Sequence, residues 1–241
     1  MNSILVTGDS RGLGAQIAEQ LLEETEYRAL GISSGESDQT RELSEQYPDR
    51  YRHLKFDLSQ PSQIESLYEE ELKPLGPLCG LVNNAAIPHD DLVSNIRFKE
   101  LQQLFAVNVL SPIMLSKYTL RDMILNGTEG SLVHVSSVST ATGYKGLSMY
   151  GSTKGALESF SLGVAREWGQ RGIRSNCVAP GFMETQMTSD LNDQQKERIY
   201  DRTSLGKPTD MDDVAEMVVF LLSDAAASIT GEVIRIDSGT L

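Results

Sequence analysis

The chain has 241 residues, of which 39% are hydrophobic, and it carries a formal net charge of −13 at pH 7. This length and apolar content suffice for one sizeable core, so we expect a single domain over residues 1–241. The acidic balance excludes a nucleic-acid backbone and an anionic membrane surface as favoured partners, because like charges repel.

The first residues of the chain and its cysteines indicate the cellular compartment in which the protein is expected. Met1 and Asn2 lead directly into a strand-like stretch, without the basic residues and apolar run of a secretion signal. No stretch reaches the ~20 apolar residues that cross a bilayer. Cys79 and Cys177 lie outside any metal-ligand spacing, and so do the three histidines. We therefore expect a cytoplasmic protein with no metal site and no membrane partner.

Short runs rich in Val, Ile and Leu alternate with longer segments whose apolar residues recur every three or four positions. Strands are predicted near residues 3–7, 28–32, 52–57, 80–84, 131–136, 173–178 and 232–236. Runs that are apolar throughout are typical of a parallel sheet covered on both faces. The predicted fold class is therefore α/β: a seven-stranded, doubly wound parallel sheet of the Rossmann type, with ligands at the carboxyl ends of its strands.

A glycine-rich turn separates the first strand from the first helical segment. It reads Thr7-Gly8-Asp9-Ser10-Arg11-Gly12-Leu13-Gly14. In this position, backbone N–H groups and the helix N-terminus can approach a pyrophosphate. Ordinary strand-to-helix turns also use glycine. The prediction of a pyrophosphate site therefore depends on the position of the turn between the first strand and the first helix, and not on the glycines alone.

The end of the second strand distinguishes the two nicotinamide cofactors, because a carboxylate there would bind an adenosine 2′-hydroxyl and repel a 2′-phosphate. Here the chain reads Gly31-Ile32-Ser33-Ser34. Arg11 can pair with the phosphate and Ser34 can hydrogen-bond it. These features predict NADP(H), although a carboxylate at Asp9 could weaken the phosphate site.

Three side chains further along have the spacing of an acid–base site. Tyr150 follows Ser137 by thirteen positions, and Lys154 follows Tyr150 by four, which places phenol and ammonium on one helix face. We expect the ammonium to lower the pKa of the tyrosine from about 10, and the serine to donate to a carbonyl oxygen that gains charge. A tyrosine and a lysine one turn apart are also common on helices with no catalytic role.

Taken in order, these motifs resemble the short-chain dehydrogenase/reductase family over nearly the whole chain. The matching positions include Asp57 after the third strand, Asn83-Asn84-Ala85-Ala86 after the fourth, Asn108 in the fourth helix and Pro180-Gly181 after the sixth strand. Ala86 replaces the usual glycine. Within that family, the second half is most similar to the 3-oxoacyl-[acyl-carrier-protein] reductases of fatty-acid synthesis.

The resemblance implies a role for each matched position. Ser137, Tyr150 and Lys154 would be catalytic, and Asn108 would hold a water through which Tyr150 regains its proton. Cofactor contacts would come from the turn at Gly8 to Gly14 and from Ser34, Asp57, Leu58, Asn84, Ala85, Ala86, Tyr150, Lys154, Pro180, Gly181, Met183 and Thr185.

The implied activity is the NADPH-dependent reduction of a 3-oxoacyl thioester by a homotetramer, with Tyr150 as proton donor. In the resembled reductases, acyl carrier protein docks on basic residues; Arg171 matches one, but the segment 126–130 reads Asn-Gly-Thr-Glu-Gly and lacks the rest. Reduction of a small ketone, sugar or secondary alcohol therefore stays open. A non-catalytic NADP-binding regulatory protein is the alternative from another class.

A polar segment at about 184–206 interrupts the alternation of strands and helices. Met187, Leu191 and Ile199 are its scattered apolar positions. We predict a helical insertion that covers the substrate site; the alternative is a surface helix with no substrate role.

Overall fold

The computed structural model describes residues 2–185, 188 and 191–241. Seven parallel strands form one sheet in the order β3-β2-β1-β4-β5-β6-β7. The strands are β1 Ser3–Thr7, β2 Arg28–Ser33, β3 Tyr51–Lys55, β4 Leu78–Asn83, β5 Gly130–Val135, β6 Ile173–Pro180 and β7 Val233–Ile236. Each lies where the sequence predicts it, with ends shifted by no more than two residues.

The helices pack on both faces of this sheet. They are α1 Gly12–Glu24, α2 Asp38–Gln46, α3 Ile64–Leu67, α4 Phe98–Phe105, α5 Ser111–Asn126, α6 Ser139–Thr142, α7 Ser148–Trp168, α8 Asp193–Tyr200 and α9 Met211–Leu222. A π-helical turn at Ala106–Leu110 joins α4 to α5 without a break. The Rossmann-type fold class predicted from the sequence is confirmed. No helix within the described ranges is long and apolar enough to cross a bilayer.

Two apolar cores lie on opposite faces of the sheet. Because side chains alternate along a strand, β1 sends Ile4 and Val6 into one core and Leu5 into the other. Ile4, Leu5 and Val6 are at most 1% exposed. Burial of each such side chain stabilises the fold by about 1.5–3 kcal/mol.

The direction in which strands are added reverses at β1. Strands β2 and β3 lie on one side of it, and β4 to β7 lie on the other. The carboxyl ends of β1 and β4 therefore border the crevice where open α/β sheets bind their ligands.

Candidate active site

The glycine-rich turn lies in this crevice, between β1 and α1. Its close packing requires Gly14, because a Cβ there would lie 2.1 Å from the carbonyl oxygen of Gly8. Among the described residues, no side chain caps the first turn of α1 after Arg11. The backbone N–H groups at this helix end are left for an anion, so the turn fits a dinucleotide pyrophosphate.

Thr7 ties this turn to the loop after β4. Its Oγ1 accepts hydrogen bonds from the backbone N–H groups of Asn84 and Ala85, each at 3.0 Å. The Asn84 side chain donates to the carbonyl oxygen of Thr7 at 2.9 Å. Asn84, Ala85 and the half-buried Ala86 therefore lie beside the turn, where the resemblance expects them to follow the cofactor.

The Asp9 side chain is directed away from solvent and is fully buried. Its Oδ2 accepts a hydrogen bond from the Tyr51 hydroxyl at 2.6 Å and lies 2.8 Å from Nδ1 of His53. The carboxylate packs on Gly31, where a Cβ would lie 1.6 Å from Oδ2. Burial and the adjacent carboxylate raise the pKa of Tyr51, which keeps it a donor. The carboxylate is thus held by β3, and only the backbone of Asp9 is left for a cofactor.

The residues predicted to meet the adenosine half lie at the ends of β2 and β3. Arg11 and Ser34 are exposed, so both are accessible to a phosphate. Asp57 is exposed, and its carboxylate accepts hydrogen bonds from the N–H and Oγ of Ser59, which lower its pKa. Leu58, the next residue, is buried.

Lys154 connects α7 to the end of β5. Its Nζ donates to the carbonyl oxygen of Val135 at 2.7 Å and lies 5.6 Å from the ring centroid of Tyr150. Ser137 follows β5 by two residues, and its Oγ accepts from the N–H of Ser139 at 3.1 Å. The predicted lysine and tyrosine therefore share one face of α7, on the side that meets β5.

The electrostatics of this pair correct one expectation. Burial raises the pKa of Tyr150 to about 12, whereas the sequence predicts that Lys154 lowers it. The reason is that desolvation of the half-buried tyrosine outweighs the attraction of the ammonium, which is hydrogen-bonded to Val135. Burial also lowers the pKa of Lys154 to about 8. At neutral pH the phenol is therefore protonated and able to donate, and most of the lysine is charged.

Asn108 lies in the π-helical turn and is fully buried. Its Oδ1 accepts from the N–H of Ile87 at 2.9 Å, and its Nδ2 donates to the carbonyl oxygen of Ile87 at 3.0 Å and to Thr153 Oγ1 at 3.2 Å. The side chain thus joins the loop after β4 to α7, next to Lys154. A role in holding water stays a prediction.

Glu158 was not singled out from the sequence. It lies one helical turn after Lys154, and its Oε1 accepts hydrogen bonds from the hydroxyls of Ser136 and Thr140. Ser136 directly precedes Ser137 and Thr140 follows it by three positions, so Glu158 holds the segment that carries the predicted serine. The continued four-residue spacing from Tyr150 through Lys154 is the sequence signal that could have identified it.

The chain after β6 borders the opposite side of the crevice. Gly181 donates its N–H to Ile236 in β7 at 2.8 Å, next to Pro180 at the end of β6. The carbonyl oxygen of Met183 and the N–H of Thr185 both bond to Thr188 Oγ1, at 2.9 and 3.0 Å.

Helix α8 falls inside the predicted insertion at 184–206. Asn192 and Gln195 form a capping box at its start. Met187 lies outside the described residues. Whether the insertion covers the site stays a prediction.

Comparison with known families identifies the class of protein. The model of a family described as enoyl-(acyl carrier protein) reductase matches residues 8–240. The chain belongs to this family, within the short-chain dehydrogenases/reductases, and is an oxidoreductase that acts on CH–OH or C=O groups.

Comparison with individual proteins shows which members of the family this chain is similar to. The chain is 35% identical to the 3-oxoacyl-[acyl-carrier-protein] reductases FabG of Vibrio cholerae and Escherichia coli over 235 residues, which cover 98% of this chain and 95% of each relative. A gluconate 5-dehydrogenase from Burkholderia cenocepacia, solved with NADP and tartrate, superposes with a TM-score of 0.92 at 25% identity over 99% of this chain and 94% of that one. The crystal structure of a putative gluconate dehydrogenase from Agrobacterium tumefaciens shares the fold, with a TM-score of 0.91 at 24% identity over 99% of this chain and 95% of that one.

Proposed function

We propose that this protein is an NADPH-dependent reductase of 3-oxoacyl thioesters, giving the 3-hydroxyacyl product. The observation that carries the proposal is the half-buried Tyr150 beside the buried Lys154 on α7, at the carboxyl end of the sheet that also bears the glycine-rich turn. The tyrosine is a proton donor, and the turn provides N–H groups for a dinucleotide.

The cofactor is NADP(H). The residues at the end of β2 fit it, since Ser33 and Ser34 stand where NAD-binding proteins have an acid, and Arg11 is accessible. The inward orientation of Asp9 removes the main electrostatic argument against a 2′-phosphate. The NADP complex of the Burkholderia relative supports the same choice.

NADPH, when bound, supplies a hydride to the carbonyl carbon. Tyr150 donates its phenolic proton to the carbonyl oxygen, and Ser137 donates a hydrogen bond to the same oxygen as negative charge develops on it. The ammonium of Lys154, 5.6 Å from the ring centroid, attracts the phenolate that remains, but this attraction is smaller than the effect of desolvation on the tyrosine pKa. Two donors to one oxygen favour reduction of C=O over the C=C reduction that the family's description names.

The acyl group can be presented either on acyl carrier protein or as a free thioester. Relatives named as acyl-carrier-protein reductases support a thioester. Arg171 is exposed in the turn after α7, but a Cβ at the neighbouring Gly172 would lie 2.5 Å from the Glu129 side chain. A carboxylate beside Arg171 weakens attraction to an acidic carrier protein, which favours a free thioester.

A second candidate is the oxidation or reduction of a sugar acid or a small secondary alcohol. The likeness to a gluconate 5-dehydrogenase favours it.

We also propose a homotetramer, in which α4, α5 and α7 pack against copies. Leu110, in the π-helical turn between α4 and α5, and Leu162, on α7, are each 48% exposed and provide apolar contact surface. Cytoplasmic location stays a prediction. The molar mass in solution, measured by light scattering, tests the tetramer.

The test of function follows NADPH absorbance with acetoacetyl-coenzyme A and with acetoacetyl-N-acetylcysteamine. We expect oxidation of NADPH with at least one thioester and much slower oxidation of NADH. Turnover of gluconate with NADP⁺, without turnover of either thioester, would replace the first candidate with the second. NADPH binding without turnover of any of these substrates would favour the regulatory alternative.

A further inference from the structure

A buried acid–base pair lies directly below the glycine-rich turn. The side chains of Asp9 and His53 are 0% and 5% exposed, and Asp9 Oδ2 lies 2.8 Å from Nδ1 of His53. The second carboxylate oxygen of Asp9 and Nε2 of His53 are buried and have no hydrogen-bond partner among the described residues. The two groups therefore interact chiefly with each other and with the Tyr51 hydroxyl.

The surroundings of this pair provide little compensation for its charge. Burial raises the pKa of Tyr51, so its phenol stays protonated. Lys55 lies two positions after His53, on the same face of β3, but it is exposed to solvent, as is Arg11 in the turn. The buried positions of α1 and α2, which pack on the core that contains Tyr51, carry no ionisable side chain.

The charge of the pair depends on one proton. Histidine is the side chain that ordinarily exchanges its proton between about pH 5 and 8. With that proton, the Asp9–His53 pair has no net charge, whichever of the two groups holds it; without the proton, the pair has a single negative charge. Because burial limits screening, this charge acts on phosphates bound nearby.

The pair lies between the two places where phosphates of the cofactor are expected. Asp9 belongs to the turn for the pyrophosphate, and its carboxylate contacts Gly31 on β2. His53 is paired with Gly31 in the sheet, and Ser33 and Ser34, beside which the 2′-phosphate is expected, follow Gly31 directly after Ile32. A negative charge here opposes NADPH more than NADH, because only NADPH carries the 2′-phosphate.

We propose that His53 determines cofactor specificity in a pH-dependent way. When the pair holds its proton, Asp9 is neutralised and the preference for NADPH over NADH is strong; when the proton is lost, that preference weakens. The inference rests on the proposed position of the 2′-phosphate beside Ser34 and is independent of the carbonyl substrate.

The experiment measures Kd for NADPH and for NADH by fluorescence titration between about pH 6 and about pH 8.5, without a second substrate. Wild type is compared with His53→Asn, because the Asn amide can donate to Asp9 from nearly the position of Nδ1 but does not titrate. His89→Asn is the matched control, since His89 Nε2 also lies near a carboxylate, 3.9 Å from Glu100. Burial lowers the pKa of the third histidine, His134, to about 3, so it stays neutral throughout.

The quantity compared is the ratio of Kd for NADH to Kd for NADPH, in which contacts common to both cofactors cancel. At about pH 6 we expect this ratio to be about three- to tenfold higher in wild type and His89→Asn than in His53→Asn. At about pH 8.5 the three ratios should agree within about twofold. A difference between wild type and His53→Asn that is the same at both pH values, no difference at either, or an equal loss in His89→Asn would overturn the inference.

Calorimetry of wild type alone provides an independent test. At about pH 7.5, in buffers of different ionisation enthalpy, binding of NADPH should take up more protons than binding of NADH, because the additional phosphate favours the protonated pair. Equal proton uptake with the two cofactors would contradict the inference even if His53→Asn does not fold. Neither measurement uses a thioester, so failure of the proposed carbonyl reduction is seen separately.

Discussion

At the cofactor end of the crevice, polar side chains are paired within the protein, whereas around α8 charged side chains face solvent. Thr7, Asp9 and Asn108 each make two or more hydrogen bonds to other segments and are almost fully buried. Arg198 and Arg202, by contrast, are exposed. The difference indicates that the cofactor end offers its ligand mainly a fixed backbone, whereas α8 presents charged side chains on the surface.

The largest change in stability that we predict concerns Lys154, which is buried on α7 beside the end of β5. Its pKa of about 8 in the folded protein lies below the ordinary value of 10.5. Between these values the unfolded chain binds more protons than the folded one, so stability rises with pH. Relative to Lys154→Met, wild type should gain up to about 3 kcal/mol of unfolding free energy from about pH 8 to about pH 10.5. The raised pKa of Tyr150 acts in the opposite direction only above about pH 10.

Urea unfolding across this pH range measures the gain. Lys145→Met, which alters an exposed lysine close in sequence, is the control and should show no comparable pH-dependent difference. A constant difference between wild type and Lys154→Met at all pH values would show that the ammonium is not buried as described.

The second prediction tests whether the inward Asp9 protects the phosphate site. His53→Leu removes one of the two donors to the Asp9 carboxylate and leaves its charge less compensated below the glycine-rich turn. We expect affinity for NADPH to fall by about tenfold, and more than affinity for NADH, because NADPH carries the additional phosphate. Fluorescence titration of both cofactors provides the measurement.

A double variant separates charge from packing. Asp9→Asn/His53→Leu lacks the carboxylate charge and should recover most of the preference for NADPH. If the single and double variants lose NADPH and NADH affinity equally, the side chains only support the fold of the turn, and the electrostatic explanation is incorrect.

The smallest predicted effect concerns Glu158, which accepts hydrogen bonds from Ser136 and Thr140 in the segment that carries Ser137. Glu158→Ala should lower kcat by about three- to tenfold with little change in KM for NADPH, because only the serine loop is loosened. Glu158→Gln keeps an acceptor oxygen and should recover most of kcat. Equal losses in the two variants would indicate that the charge, and not the hydrogen bonds, is required.

A contrast between local and long-range contacts explains which features the sequence could predict. The strands and the turn from Gly8 to Gly14 depend on local patterns, namely apolar runs and glycine at a strand-to-helix junction. The pairing of Asp9 with Tyr51 and His53 spans 42 and 44 positions and depends on the register of β2 beside β3, which no local pattern contains. For the same reason, the shift in the Tyr150 pKa was predicted with the wrong sign, since burial is set by tertiary packing.

The central claim is that Tyr150 donates the proton in an NADPH-dependent carbonyl reduction. The most direct test is the rate of NADPH oxidation with an acetoacetyl thioester by wild type and by Tyr150→Phe, with NADPH binding to both measured separately. We predict a loss of about 10²- to 10⁴-fold in kcat and unchanged NADPH affinity in the variant. A variant that binds NADPH and turns over at the wild-type rate would contradict the claim.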